Sequence, residues 1–109
     1  MIDWTRVAEL RDEIGAEDFG DVVEIFLEEV EDTIDRLRRA GPDDYEAMLH
    51  FLKGSALNLG FTRFSGLCQT GEFLAAGGKA TEIPVDEILE VYEASKQEFI
   101  GDLHRRFAA

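Results

Sequence analysis

Residues 17–39 have the sequence EDFGDVVEIFLEEVEDTIDRLRR. Apolar side chains recur in this stretch at intervals of three and four residues, which is the spacing of one face of an α-helix that packs in a bundle. These side chains belong to Phe19, Val22, Val23, Phe26, Val30, Ile34 and Leu37. Acidic residues gather early in the stretch and three arginines close it, as the helix dipole favours. The pattern predicts a long helix with one buried face.

The remainder of the chain divides into four further helical segments, because glycine and proline punctuate it between stretches of helical periodicity. Their predicted limits are Asp3 as the cap of a short first helix, Asp43 to Gly60 for the third, Thr62 to Gly77 for the fourth, and Pro84 onward for the fifth. Glu46 stands three residues after Asp43 and would complete a capping box. No segment alternates as a strand does. We therefore predict an all-α fold, an antiparallel up-down four-helix bundle with a short extra N-terminal helix capping one end.

The composition indicates a single domain, residues 1–109, of a size that buries one hydrophobic core. No basic segment followed by an apolar one stands at the start, and no apolar run approaches the roughly 20 residues that cross a bilayer. We therefore expect a cytoplasmic protein without membrane contact. Cys68 is the only cysteine, so an internal disulfide is excluded. Its position on the apolar face of the fourth helix predicts a small buried side chain.

The chain is strongly acidic, and its charge is unevenly distributed. The formal net charge is −13, which divides into −11 over residues 1–49, +2 over residues 50–80 and −4 over residues 81–109. An acidic surface repels the phosphates of nucleic acids and anionic lipids, so neither is an expected partner. The segment that is not acidic begins at His50.

Within that segment, residues 50–60 have the sequence HFLKGSALNLG and lie on the predicted third helix. The apolar positions of this helix define a core face within roughly 100° of arc. They are Tyr45, Met48, Leu49, Leu52, Ala56 and Leu59. His50 lies about 150° from the centre of this face, so its imidazole is predicted to be exposed. At this point a solvated surface histidine without a function remains an alternative.

The neighbours of His50 on the outer face are small or apolar, whereas a solvated helix face normally carries charged and amide side chains. They are Ala47, Gly54, Leu57 and Phe61, with Lys53 at the edge. Gly54 costs about 1 kcal/mol relative to alanine inside a helix, and the missing side chain clears space beside His50. Leu57 and Phe61 would offer apolar contacts to a partner protein, or equally to a second copy of the chain.

The third and fourth helices are predicted to form a hairpin whose turn centres near Phe61. Residues equidistant from the turn should be level across the pair, so Glu72 is expected beside His50. By the same reckoning Gln69 is expected beside Lys53. A hydrogen bond from Nδ1–H to Glu72 would fix the tautomer in which Nε2 is the outward nucleophile. Lys53 would supply positive charge to a phosphoryl group on Nε2, and Gln69 could add a hydrogen bond.

Other groups give weaker signals. Phe73 falls on the outer side of the fourth helix. There it either widens the apolar surface around His50 on which a partner would dock, or packs under the loop that follows the helix. Glu46 and His50 form only a single Glu-x-x-x-His pair, and a two-metal bundle site needs more ligands, so we expect no metal site. The sequence has no Gly-rich phosphate loop. We therefore expect no cofactor and no phosphate transfer from ATP by the chain itself.

The stretch from His50 to Gly60 carries a lysine three residues after the histidine and glycines four and ten residues after it. It resembles the histidine phosphotransfer (HPt) domains of bacterial and plant phosphorelays, and the resemblance extends over the whole chain. It implies reversible transfer of a phosphoryl group between His50 and an aspartate of a response-regulator receiver domain. In that family the position of Glu72 is often Gln or Glu bonded to the histidine, and Glu here is similar to the phosphoacceptor domain of the chemotaxis sensor kinase.

The resemblance implies a stoichiometric phosphocarrier whose partners are receiver domains and a hybrid sensor histidine kinase. The Mg²⁺ for transfer would come with the receiver, and we expect the carrier to be a monomer. Whether a kinase ATP site can phosphorylate it directly stays open. The alternative function is that of a non-phosphorylated helical bundle that binds a receiver domain and sequesters it.

Overall fold

The computed structural model describes residues 2–107, which are helical apart from loops and one isolated bridge pair. The five α-helices are α1 (Trp4–Ile14), α2 (Phe19–Arg39), α3 (Tyr45–Leu59), α4 (Thr62–Ala76) and α5 (Val85–Phe107). Short 3₁₀ turns precede α3 and α5 at Pro42–Asp44 and Ala80–Glu82. The all-α prediction is confirmed, since the described residues contain no β-strand. None of the described helices has the length and apolar character needed to cross a membrane.

Helices α2 to α5 form an antiparallel up-down bundle in a molecule of 48 × 20 × 19 Å. Each helix packs against the next one along the chain, and α5 returns to α2 through side-chain contacts, so the four surround one core. The largest fully buried side chains are Phe61, Phe64, Phe99, Leu37, Leu49, Leu52, Leu59 and Ile88. Burying a large apolar side chain contributes about 1.5–3 kcal/mol, so this core is the main source of stability.

The short helix α1 packs at the end of the bundle where α5 ends. Trp4 stacks on Phe99 of α5 with a ring-centroid distance of 5.8 Å and an interplanar angle of 8°. Asp3 caps α1 as predicted, because its side chain accepts a hydrogen bond from the backbone N–H of Arg6 at 3.2 Å. The N-terminal helix therefore covers one end of the bundle, as the sequence predicts.

The turn between α3 and α4 depends on Gly60. This residue ends α3 with a φ of +76°, a left-handed conformation that glycine adopts without penalty. Its carbonyl accepts a hydrogen bond from the N–H of Asp3 at 2.7 Å. A Cβ at Gly60 would lie 2.6 Å from the carbonyl oxygen of Asp3. Backbone conformation and the close approach of the chain before α1 both require glycine at this position.

The prediction that Phe61 belongs to an exposed docking surface is wrong. It extends the helical phase of α3 to residue 61, whereas that phase is lost at Gly60, where the chain turns. Phe61 is 0% exposed, and its ring lies 5.3 Å from that of Phe99 and 6.2 Å from that of Tyr92. Phe61 is therefore a core residue under the turn and has no surface to offer a partner.

The start of α3 also differs from the prediction. A 3₁₀ turn occupies Pro42–Asp44, and α3 begins at Tyr45 rather than near Asp43. The N-cap residue is Asp44, which makes no side-chain capping hydrogen bond, so the predicted capping box with Glu46 does not form. Proline at the first position fixes φ, and the following residues close a 3₁₀ turn instead.

The single cysteine is buried in the core, as predicted. Cys68 is fully covered on the inner face of α4. Burial, with the charge of Glu72 second, raises the pKa of its thiol to about 12. The thiol stays protonated at neutral pH and behaves as a small apolar group.

Candidate functional site

His50 lies on the outer surface of α3, and its side chain is 70% exposed. The prediction from helical phase is confirmed, because another face of α3 supplies the core. The buried residues of α3 are Leu49, Leu52, Ala56 and Leu59. Most of the imidazole of His50 is therefore open to a second molecule.

One carboxylate links this imidazole to a lysine. Glu72 of α4 lies 2.6 Å from His50 Nδ1 through Oε2 and 2.7 Å from Lys53 Nζ through Oε1. The contact that the hairpin predicts between Glu72 and His50 is present. An ionised carboxylate can only accept hydrogen bonds, so Nδ1 carries the proton and Nε2 of the neutral imidazole holds the free lone pair. We call these three residues the Glu72 network.

Glu72 is held in its ionised form. The hydrogen bond from Lys53 is the largest influence and lowers the pKa of the carboxyl; burial opposes it, and the hydrogen bond from His50 lowers the pKa further. The net result is a pKa below the ordinary value. The side chain is only 19% exposed, so water screens these contacts incompletely. At neutral pH the carboxylate is charged and accepts from both partners.

The hydrogen bond from Lys53 to Glu72 is a contact that the hairpin register does not predict, since the register only places Gln69 level with Lys53. The ammonium of Lys53 donates to Glu72, and the exposed side chain of Gln69 makes no hydrogen bond with the described residues. The flexible four-carbon stem of lysine allows the ammonium to reach a charged carboxylate in preference to a neutral amide. An ammonium has three N–H donors, so two remain available beside the imidazole.

The residues that surround His50 on the surface are small or apolar. Leu57 is 55% exposed and Phe73 is 80% exposed, and Ala47 and Gly54 are exposed as well. Nothing lies within 4 Å of the position that a Cβ on Gly54 would take, so packing does not require glycine there. The alternative in which Phe73 tucks under the following loop is wrong. We call these four residues, together with His50, the His50 face.

One glycine of α4 contributes to this region and has no site role in the sequence prediction. Gly71 is buried directly before Glu72, and a Cβ there would lie 2.9 Å from Leu49 Cδ1. Its missing side chain therefore allows α3 and α4 to approach closely next to the site. The sequence does contain a signal for Gly71, because this glycine lies on the apolar face of the fourth helix and directly precedes Glu72, the predicted partner of His50.

The arrangement suits nucleophilic chemistry at Nε2. The lone pair of this nitrogen faces outward, and the Glu72 carboxylate stabilises the positive charge that an imidazole gains when it reacts. The ammonium of Lys53 lies 2.7 Å from the same carboxylate and adds a positive charge to this region of the surface. Within residues 2–107, no group of three or more His, Cys, Asp or Glu side chains is arranged to hold a metal ion.

Comparison with known families agrees with this geometry. A family model described as the Hpt domain matches residues 21–104, which include all of α3 and α4 and leave α1 outside. The chain therefore belongs to the Hpt domain family, whose members serve phosphotransfer in two-component systems and interact there with receiver domains and kinases. Searches of curated proteins and of solved structures found no match.

Proposed function

We propose that this protein is a phosphorelay intermediate in which His50 accepts a phosphoryl group from a receiver-domain aspartate and passes it to another response regulator. The observation that carries the proposal is an exposed imidazole whose Nδ1 is held by Glu72, so that Nε2 faces outward. Membership of the Hpt family supports it. The partners are receiver domains and a hybrid sensor histidine kinase in the cytoplasm, and the carrier acts as a monomer.

In the proposed step, the Nε2 lone pair attacks the phosphorus of an aspartyl phosphate in line with the bond to the carboxylate oxygen. The N–P bond forms, the P–O bond breaks, and the aspartate leaves as a carboxylate. The imidazole becomes a cation that keeps its Nδ1 proton, and Glu72 stabilises that cation through the 2.6 Å contact. Attack by the carboxylate of a second receiver reverses these changes, so the carrier neither gains nor loses a proton over the cycle.

Lys53 supplies the positive charge in this proposal. Its ammonium uses one donor on Glu72 and has two more for phosphoryl oxygens. Neutralising the charge on the transferred group is a main requirement of phosphoryl transfer. Gln69 lies one helical turn from Glu72 on α4 and adds a hydrogen bond from its exposed amide. The Mg²⁺ that assists the reaction is held by the receiver domain.

The His50 face is the proposed docking surface for the receiver. Leu57 and Phe73 offer exposed apolar contacts, which are typical of protein interaction sites. Ala47 and Gly54 keep the surface low next to the imidazole. An aspartyl phosphate recessed in a receiver can therefore come within bonding distance of Nε2 without a side chain in between.

The test is transfer from a receiver domain that carries radioactive phosphate. Wild type mixed with this receiver and Mg²⁺ should gain label that is stable in base and labile in acid, and His50→Ala should gain none. His104→Ala is the matched control, because His104 is the other histidine and lies near the end of α5. It should be labelled like wild type. Equal labelling of wild type and His50→Ala would overturn the proposal.

The same experiment separates the proposal from the sequestering function. A sequestering bundle would form a stable complex with the receiver, detectable by calorimetry, while neither wild type nor His50→Ala gains label. That combination of results would replace the carrier function with a binding function on the same face.

A further inference from the structure

The contact between Glu72 and His50 lies next to a point where α3 and α4 pack closely. Gly71, which directly precedes Glu72, is buried, and so is Leu49, which directly precedes His50. A Cβ on Gly71 would lie 2.9 Å from Leu49 Cδ1, well inside the roughly 3.5–4.0 Å at which carbon atoms attract each other. The carboxylate and the imidazole are therefore each one residue away from the pair that sets the spacing of their helices.

Gly71 is also enclosed by residues outside the hairpin. A Cβ there would lie 3.4 Å from Ile83 Cγ2 and 3.6 Å from Ile88 Cδ1. Leu49 and Ile88 are 0% exposed and Ile83 is 8% exposed, so all three belong to the packed core. A core of this density takes up an added carbon by shifting side chains or backbone. A side chain at residue 71 would therefore press α4 away from α3 at the level of Glu72.

The other glycines within α3 and α4 have different surroundings. No described atom lies within 4 Å of the position that a Cβ would take on Gly54 or on Gly66. Glycine is a poor helix former, so a glycine in the interior of a helix calls for a reason. At Gly71 the reason is the close approach of α3, which neither of the other two glycines shows.

The spacing of the two helices matters because it sets the length of the hydrogen bond. Nδ1 of His50 and Oε2 of Glu72 are 2.6 Å apart, at the short end for a charge-assisted hydrogen bond. The partner of one ring nitrogen decides which of the two carries the proton. A longer contact would hold the proton on Nδ1 less firmly and would raise the population with the proton on Nε2. In that tautomer the outward nitrogen has no lone pair to offer.

We propose that Gly71 is a positioning residue for His50. The missing side chain lets α4 approach α3, which keeps Glu72 within hydrogen-bond distance of Nδ1 and so selects the tautomer whose Nε2 is nucleophilic. Gly71 acts through Glu72 and takes no part in bond formation. The effect on the tautomer stands apart from phosphotransfer, whereas the effect on transfer rests on the proposed function.

The experiment uses the full chain with nitrogen-15 in its histidines, at about pH 9, where an ordinary imidazole is neutral. Long-range proton–nitrogen spectra distinguish Nδ1 from Nε2, and the signals that are missing from His50→Ala belong to His50. Gly71→Ala should raise the share of the tautomer protonated on Nε2. It should also slow transfer from a phosphorylated receiver about fivefold, less than the loss of about 100-fold that a displacement of an ångström can cause. An unchanged tautomer in folded Gly71→Ala would overturn the proposal.

Two further variants separate positioning from a general loss of packing. Gly66→Ala adds the same methyl group to the same helix at an exposed position, so the His50 signals should match those of wild type. The double variant Gly71→Ala, Leu49→Val removes the Cδ1 atom that the new Cβ would meet and nearly conserves the core volume. It should restore the wild-type tautomer, and an altered tautomer there would contradict the proposal.

The spectra and the transfer assay also separate this proposal from the proposed function. A tautomer that shifts in Gly71→Ala and returns in the double variant supports the positioning role, even if wild type gains no label from a receiver. Absence of label in wild type would refute the phosphocarrier alone. Transfer that slows in Gly71→Ala without a change of tautomer would refute the positioning role alone.

Discussion

Two carboxylates of this bundle make the same kind of contact and serve different ends. Each accepts a hydrogen bond from an aromatic ring and another from a lysine on a neighbouring helix. In the Glu72 network the ring is the imidazole of His50. In the second set of contacts, which we call the Glu31 network, Tyr92 of α5 donates a hydrogen bond to Glu31 of α2 at 2.8 Å, and Lys96 Nζ lies 2.6 Å from the same carboxylate. Burial raises the pKa of the Glu31 carboxyl, but the hydrogen bonds from Lys96 and Tyr92 outweigh it, so this pKa also lies below its ordinary value.

The difference lies in exposure and in what each ring has left to offer. Tyr92 is 3% exposed, and burial and then Glu31 raise the pKa of its phenol, so it stays a neutral donor. His50 is 70% exposed and keeps a second ring nitrogen free. The Glu31 network therefore ties α2 to α5, whereas the Glu72 network holds a nucleophile in the open. Similar polar contacts become structural or chemical according to the surface on which they lie.

The largest expected effect comes from blocking access to His50 in the exposed Glu72 network. Gly54→Gln places a side chain beside His50, and we expect phosphoryl transfer from a receiver to fall about 100-fold, as misplacement of reacting groups by an ångström can cause. The variant should be more stable than wild type by roughly 0.5 kcal/mol, because glutamine favours a helix over glycine and the site is empty. Transfer rates and urea unfolding measure the two effects.

Gly101→Gln is the matched control for this variant. Gly101 lies within α5 with nothing near its Cβ position, so it should gain the same stability without a change in transfer. Unimpaired transfer in Gly54→Gln would mean that access to His50 is not limited by side chains on α3.

The second prediction concerns the Glu31 network, in which the aromatic ring is buried. Tyr92→Phe removes the hydrogen bond to Glu31 and should lower the free energy of unfolding by about 1 kcal/mol, while phosphoryl transfer stays unchanged. Tyr45→Phe is the control, since Tyr45 is half-buried and makes no side-chain hydrogen bond with the described residues. It should change stability by less than about 0.5 kcal/mol. A loss of transfer in Tyr92→Phe would show that the two networks are coupled.

The smallest expected effect tests the property that the two networks share, which is a carboxyl group whose pKa is lowered in the folded protein. The pKa values of Glu72 and Glu31 are lowered by folding, so their contribution to stability is fully present above the ordinary value of 4.5 and is lost as the pH falls through the lower folded value. Glu72→Gln and Glu31→Gln should therefore lose less stability than wild type between pH 7 and pH 3. Urea midpoints at the two pH values measure this, with the exposed Glu24→Gln as a control that should behave like wild type.

Much of the fold and part of the site could be predicted from the sequence. The 3.6-residue periodicity of apolar side chains locates the helices and gives the phase that puts His50 outside. The turn at Gly60 then sets the level of α4 against α3, which places Glu72 beside the imidazole. These features follow from local geometry, because helical phase and a short hairpin are determined by neighbouring residues.

Other features could not be predicted, because they depend on where helices end and how side chains reach between them. Helical phase does not survive the left-handed residue at Gly60, so Phe61 turns into the core. The stem of Lys53 is flexible, and its ammonium bonds to Glu72, which the hairpin register places level with His50 and not with Lys53. Neither result is a property of residue spacing alone.

The sequence by itself therefore determined an all-α chain with a histidine on an outer face and a carboxylate within its reach. Only the tertiary structure decided that one carboxylate serves both His50 and Lys53, and that Phe61 is unavailable to a partner. It also decided that acidic residues far apart in sequence, on α2 and α5, line one groove. The physical reason is that phase along a helix is local, whereas the distance between charges on different helices is fixed by packing of the core.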